Sequence, residues 1–132
     1  MIGIDTNVLL RFILADDPAQ LEVARRFINQ RSMADPAFIS LLVFAEVCWV
    51  LRRRYKYGNE VIAAAFRQLL AAEELIFEDE YYIDELIADD APLNFDLSDH
   101  VVAHIAARNG CAKTVTFDEK AAKRIPGMEF LT

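Results

Sequence analysis

Short apolar runs alternate along the chain with longer stretches whose apolar residues recur every three to four positions. The short runs are Ile2-Gly-Ile-Asp5, Pro36-Ala-Phe-Ile-Ser40, Leu75-Ile-Phe-Glu78 and Thr114-Val-Thr-Phe117, with Glu129-Phe-Leu-Thr132 as a fifth. Runs of this length, rich in apolar residues, predict short buried strands. The stretch from Thr6 to Leu14 predicts a helix, with Val8, Leu9, Phe12 and Ile13 on one side. Asp17-Pro18 starts the next, with an acid as N-cap and proline in the first turn. Its apolar stripe is Leu21, Ala24, Phe27 and Ile28.

Ser40 can cap a long apolar helix that runs to about Tyr57, just before Gly58. Asn59 can cap the one after it, where Val61, Ile62, Ala65, Phe66, Leu69 and Leu70 keep one face apolar. Tyr82 to Ala91 predicts an acidic helix ahead of Pro92. Asp96 to Asn109 predicts another, stopped by Gly110, and Ala121 to Ile125 a short one. Strands alternating with helices imply an α/β fold of three layers, α/β/α. Its central sheet would be mostly parallel, with four to five strands. A length of 132 residues suits one domain spanning 1–132, and no repeat or low-complexity linker interrupts it.

Composition narrows the class. Apolar residues make up 55% and charged residues 27%, a globular balance. The longest apolar run, Ala37 to Leu51, is broken by Ser40 and Glu46 and is shorter than the roughly 18–20 residues that span a bilayer. No membrane segment is expected. The start, MIGIDTN, has no basic region ahead of an apolar stretch, so a secretory leader is not expected either. Cys48 and Cys111 sit in no metal-ligand spacing and suit buried, reduced thiols in a cytoplasmic protein. The net charge of −7 disfavours nonspecific nucleic-acid binding through counterion release. From Glu73 to Asp99 there are eleven acids and no Lys or Arg. A divalent metal could still place such carboxylates against a polyanion.

Asp5, Glu46, Asp99 and Asp118 stand out. Asp5 and Asp118 end the first and fourth strand candidates, where parallel sheets bind ligands. Either could instead cap the following helix. Asp96 and Asp99 have capping-box spacing at a helix start. Glu46 interrupts LLVFAEVCWVL, Leu41 to Leu51, and no Lys or Arg lies three or four residues away. On a buried helix such a charge needs a partner: a basic side chain, hydrogen-bond donors or a bound cation. If the four converge, their hard oxygens suit Mg²⁺ or Mn²⁺.

Four segments then carry a family resemblance: Ile4-Asp-Thr-Asn-Val-Leu-Leu10, Ile39-Ser-x-Leu-x-x-x-Glu46, Asp96-x-x-Asp99 and Thr116-Phe-Asp118. In this order they resemble the PIN-domain nucleases. The chain's length and its phrase AEVCWVLRRRY resemble the VapC toxins of toxin–antitoxin pairs. That resemblance implies a metal-dependent endoribonuclease using one or two Mg²⁺ or Mn²⁺ ions. It further implies a cognate antitoxin, bound in apolar grooves between helices, and a homodimer. It assigns Asp5, Glu46, Asp99 and Asp118 as the catalytic and metal-binding quartet. Asp96 matches an acid often found just before the third member. Asn7 and Thr116 match polar residues that support the first and last acids, and Thr6 is either a cap or a ligand. Asp96-Leu-Ser-Asp99 departs from the family's frequent Asp-Phe-Ala-Asp.

The remaining polar residues allow two roles each. Arg52, Arg53, Arg54 and Lys56 could hold RNA phosphates or simply favour a helix C-terminus. Arg11 could reach the rim of the site. His100 and His104 have a zinc-compatible spacing but lack the adjacent Glu of a zinc protease, which favours ordinary polar helix positions. Two other functions compete. An aspartate-based phosphatase would want a second Asp two residues after Asp5, where Asn7 stands. A noncatalytic interaction module could keep the acids as a metal site alone.

Overall fold

In the computed structural model, residues 1–88 and 96–132 are described. The chain runs through β1 (Ile2–Gly3), α1 (Thr6–Leu14), α2 (Pro18–Asn29), β2 (Ala37–Ile39), α3 (Leu41–Arg53) and α4 (Asn59–Leu70). It continues with β3 (Leu75–Phe77), α5 (Glu80–Leu86), α6 (Leu97–Arg108), β4 (Thr114–Thr116), α7 (Glu119–Arg124) and β5 (Met128–Phe130). Among the described residues all strand pairs are parallel, as the α/β alternation requires. The five strands divide into two sheets, ordered β1-β2-β3 and β4-β5. Among the described residues no helix is long and apolar enough to cross a membrane.

Local chemistry explains most of the boundaries. The Asp17 carboxylate accepts from the Gln20 amide at 3.1 Å, so acid and proline together start α2. The Ser40 hydroxyl accepts from the Val43 amide at 3.1 Å and starts α3. Gly58, not Asn59, holds the cap position of α4, and Asn59 becomes its first residue. The third helix stops at Arg53, short of Tyr57, because Lys56 turns left-handed at φ 60° and the Tyr57 amide bonds back to Leu51 at 3.0 Å. The acidic helix starts at Glu80, two residues early, after Asp79 takes a left-handed φ of 55°. It ends at Leu86, with Ile87 as its C-cap, short of the expected Ala91; residues 89–92 lie outside the described residues.

Two apolar clusters hold the elements. The larger one joins Ile4, Leu9, Ile39, Phe44, Val47, Leu51, Ile62, Phe66, Phe77, Ile83 and Val101. Within it Phe66 meets Phe44 edge-on at 4.7 Å between ring centroids and Phe77 at 6.2 Å. The smaller cluster is Ala103, Ala121 and Ile125, with Met128 against it. Helix α6 gives Leu97 and Val101 to the first and Ala103 to the second. It therefore bridges the two sheets, which explains its apolar residues on more than one face.

Three strands differ from the buried segments expected of them, β1, β4 and β5, the last running Met128–Phe130 with Glu129 and Phe130 exposed. β1 is an edge strand, paired on one side by β2, and Ile2 and Gly3 are exposed while Ile4 turns inward. In β4 the threonines are half-buried and Val115 faces out, the reverse of a core strand. The small second cluster leaves little apolar surface for β4 to cover.

Beyond β3, two acids fix helices in place. Glu78 Oε1 accepts from the Leu41 amide at 2.8 Å and adds a second cap to α3. Asp79 Oδ2 lies 2.6 Å from His104 Nε2 and 3.2 Å from Arg108 Nη1. Tyr82 stacks on His104, with centroids 3.5 Å apart. Burial, then the Asp79 charge, pushes the Tyr82 hydroxyl up to about 12.

The hydrogen bond from His104, and then Arg108, holds the Asp79 carboxyl below its usual 3.8. A depressed carboxylate stabilises the fold above its unfolded pKa and loses that effect as pH falls through its folded value. Asp79→Asn should therefore lower the melting temperature near neutral pH, and the gap to wild type should close below about pH 4. Melting curves between about pH 3 and pH 7 check this. A gap independent of pH would mean that charge at Asp79 is not what ties α6 down.

Candidate functional site

The α3 helix decides where Glu46 goes. Leu41, Phe44, Val47, Cys48 and Leu51 point inward. Leu42, Glu46, Trp49 and Arg53, at i, i+4, i+7 and i+11, form one exposed stripe. The expectation of a buried carboxylate is thus corrected: Glu46 is exposed, and no desolvation cost demands a partner. Glu46 Oε2 accepts from Thr6 Oγ1 at 3.0 Å, and Thr6 itself is buried. This bond ties the start of α1 to the middle of α3.

Asp5 occupies the N-cap position of α1 but makes no side-chain cap bond. Its exposed carboxylate follows directly on Ile4, the inward residue beyond β1. Asp118 does cap: its Oδ1 accepts from the Ala121 amide at 3.0 Å. Its own amide donates to Thr116 Oγ1 at 3.0 Å, which fixes the turn between β4 and α7.

Asp96 and Asp99 do not form the capping box that their spacing suggests, because Asp96 makes no side-chain cap bond. Asp96 is buried and takes Arg52 Nε at 3.2 Å and Arg53 Nη2 at 2.6 Å. Two guanidiniums compensate one buried charge and seat the start of α6 on the end of α3. Asp99, half-buried, has its carboxyl pushed up by burial, then by the Asp96 and Asp118 charges, against a smaller pull from Arg53. Asp99 thus lies in a negative field between α3 and the β4–α7 turn.

The other candidates scatter. Asn7 and Arg11 line a groove of about 540 Å³ between α1 and α2, with Val8, Val23 and Phe27. Arg11 donates to Asp16 at 2.9 Å. Arg54 and Lys56 are exposed where α3 ends. His100, its pKa lowered by burial, lines a separate cavity of about 250 Å³ with Tyr82, His104 and Cys111; Cys48 is buried as expected, whereas Cys111 is exposed. The Arg52–Asp96–Arg53 clamp and the Thr6–Glu46 bond link residues 40 or more apart in sequence, and no local spacing announces them.

The structure therefore sets Asp99 in the field of Asp96 and Asp118 and holds Glu46 beside α1. Among the described residues, no three His, Cys, Asp or Glu side chains gather closely enough to hold a metal. The donor set is nonetheless of the right kind. Its oxygens are hard, and the like charges that push Asp99 up are what a divalent cation relieves.

Parallel strands with carboxylates beyond their C-terminal ends define an α/β protein with a polar site at the strand ends. The PIN domain family matches the chain over residues 2–127, and the chain belongs to it. PIN domains are generally nucleases and generally use divalent metal ions. No curated protein matches the chain.

Proposed function

We propose that the chain is a metal-dependent endoribonuclease of the VapC toxin type, a single PIN domain spanning residues 1–132. The observation that carries the proposal is Asp99, seated among the charges of Asp96, Asp118 and Arg53 while Thr6 holds Glu46 on the neighbouring helix. Asp5, Glu46, Asp99 and Asp118 would hold one or two Mg²⁺ or Mn²⁺ ions. Such ions would supply Lewis-acid activation of water and charge neutralisation at an RNA phosphodiester.

The chain's own residues act by position. Thr6 restrains the Glu46 carboxylate. The two arginines on Asp96 fix the start of α6, and with it Asp99. Thr116 holds the turn that carries Asp118. Arg54 and Lys56 offer charge to RNA phosphates at the end of α3, and Arg52 and Arg53 keep partly exposed faces for the same use. Cleavage leaves a 3′-hydroxyl and a 5′-phosphate.

The groove between α1 and α2 suits an apolar segment of a cognate antitoxin. The protein works as a cytoplasmic homodimer. A quenched-RNA assay with Mn²⁺, with Mg²⁺ and with excess EDTA tests the reading, beside an aryl phosphate substrate. RNA cleavage that EDTA abolishes is expected. Turnover of the aryl phosphate alone would favour an aspartate-based phosphatase, and turnover of neither an interaction module.

A further inference from the structure

Two large apolar side chains stand exposed directly beside the site acids. Trp49 is 47% exposed, one helical turn beyond Glu46 on the same stripe of α3. Phe117 is 78% exposed and immediately precedes Asp118. They belong to different elements, which α6 joins: Asp96 at its start pairs at 2.6 Å with Arg53, one turn beyond Trp49 on α3, and Ala103 packs in one cluster with Ala121 of α7. Cations follow each aromatic: Arg53, Arg54 and Lys56 after Trp49, and Lys120 and Lys123, both exposed, after Phe117. Glu46 and Asp118 thus each have an exposed aromatic and exposed cations close along the chain, the kinds of group an unpaired RNA strand uses. Bases offer π-faces to aromatic rings, and phosphates want positive charge.

We propose that Trp49 and Phe117 are stacking platforms for unpaired bases of the RNA at this site. The inference rests on the nuclease reading and adds to it the residues that select single-stranded substrate. A base in a duplex keeps its faces covered by its neighbours, so it cannot stack on either ring. Exposure of both rings in the free protein leaves them available without a conformational change.

Trp49 is the only tryptophan in the chain, so its fluorescence reports on one site. A Glu46→Gln protein, with Mn²⁺ present, is titrated with a fluorescently labelled single-stranded oligoribonucleotide and with its duplex, anisotropy being read in parallel. Single-stranded RNA should quench Trp49, and the duplex should not. In the wild-type background, Trp49→Ala and Phe117→Ala should each raise KM roughly 10- to 100-fold with little change in kcat. Both positions are exposed, and unchanged melting temperatures would show that the variants fold.

Three results would overturn the inference. RNA could bind by anisotropy without quenching Trp49. Both alanine variants could keep the wild-type KM. Trp49 emission could instead follow protein concentration without RNA, with Trp49→Ala turning a dimer into a monomer, which would assign the stripe to a second copy of the chain. In all three the wild type still cleaves RNA, whereas failure of the nuclease reading itself shows as a wild type that cleaves none.

Discussion

Glu46→Gln is expected to lower RNA cleavage on the order of 10²- to 10³-fold, because loss of a proposed metal ligand would remove several kcal/mol of transition-state stabilisation. The melting temperature without added metal should hardly change. Glu46 is exposed on α3, and glutamine keeps both its length and an oxygen for the Thr6 hydroxyl. What the substitution removes is charge at a position one bond from α1 and one helical turn from Trp49. An unfolded variant would leave the question open, so melting and cleavage are measured on the same preparation. A folded Glu46→Gln protein that cleaves at the wild-type rate would remove Glu46 from the site.

The largest effect on stability is expected at Phe66. Its side chain is fully buried, edge-on to Phe44 and near Phe77, so it joins α4, α3 and β3 at one point. Phe66→Ala should cost about 3–5 kcal/mol, part of it the aromatic contacts and the rest apolar burial and the cavity left behind. Against a total of roughly 5–15 kcal/mol, this would lower the melting temperature by roughly 10–20 °C. Urea unfolding should show a lower midpoint at an unchanged slope. A loss below about 1 kcal/mol would mean that the three rings do not share one core. The consequence for function follows from α3, which carries Glu46 and the Asp96 clamp on the same rigid body.

The sequence made some of this arrangement legible and concealed the rest for physical reasons. Asp17-Pro18 and Ser40 act through bonds to amides three residues on, so local spacing suffices to read them. The alternation of strand and helix likewise predicts parallel pairing. In LLVFAEVCWVL nearly every position is apolar, so hydrophobicity alone cannot say which stripe faces out. Leu42 and Trp49 stay exposed with Glu46 between them, and the supposed burial of that acid fails on this point. The alternation in Thr114-Val-Thr-Phe117 fixes which residues share a side of the strand but not which side is covered. The structure turns Val115 and Phe117 outward.

Asp96 shows a different limit. Its spacing to Asp99 suggests a helix cap, whereas its partners, Arg52 and Arg53, lie more than 40 residues earlier. A tertiary contact of that reach takes the carboxylate away from the local amides. The same clamp draws two cations of the basic run into the protein and leaves Arg54 and Lys56 as its more open members.

We propose that Asp5, Glu46, Asp99 and Asp118 act on the same metal, although α1, α3, α6 and the β4–α7 turn carry them separately. Calorimetric titration of Mn²⁺ into the wild type and into Asp5→Asn, Glu46→Gln, Asp99→Asn and Asp118→Asn tests this most directly. Binding of one or two ions by the wild type is expected, with weaker binding in every variant, each of them folded. Mn²⁺ binding that survives unchanged in Asp5→Asn or Asp118→Asn would contradict it, since that acid would then stand apart from the metal.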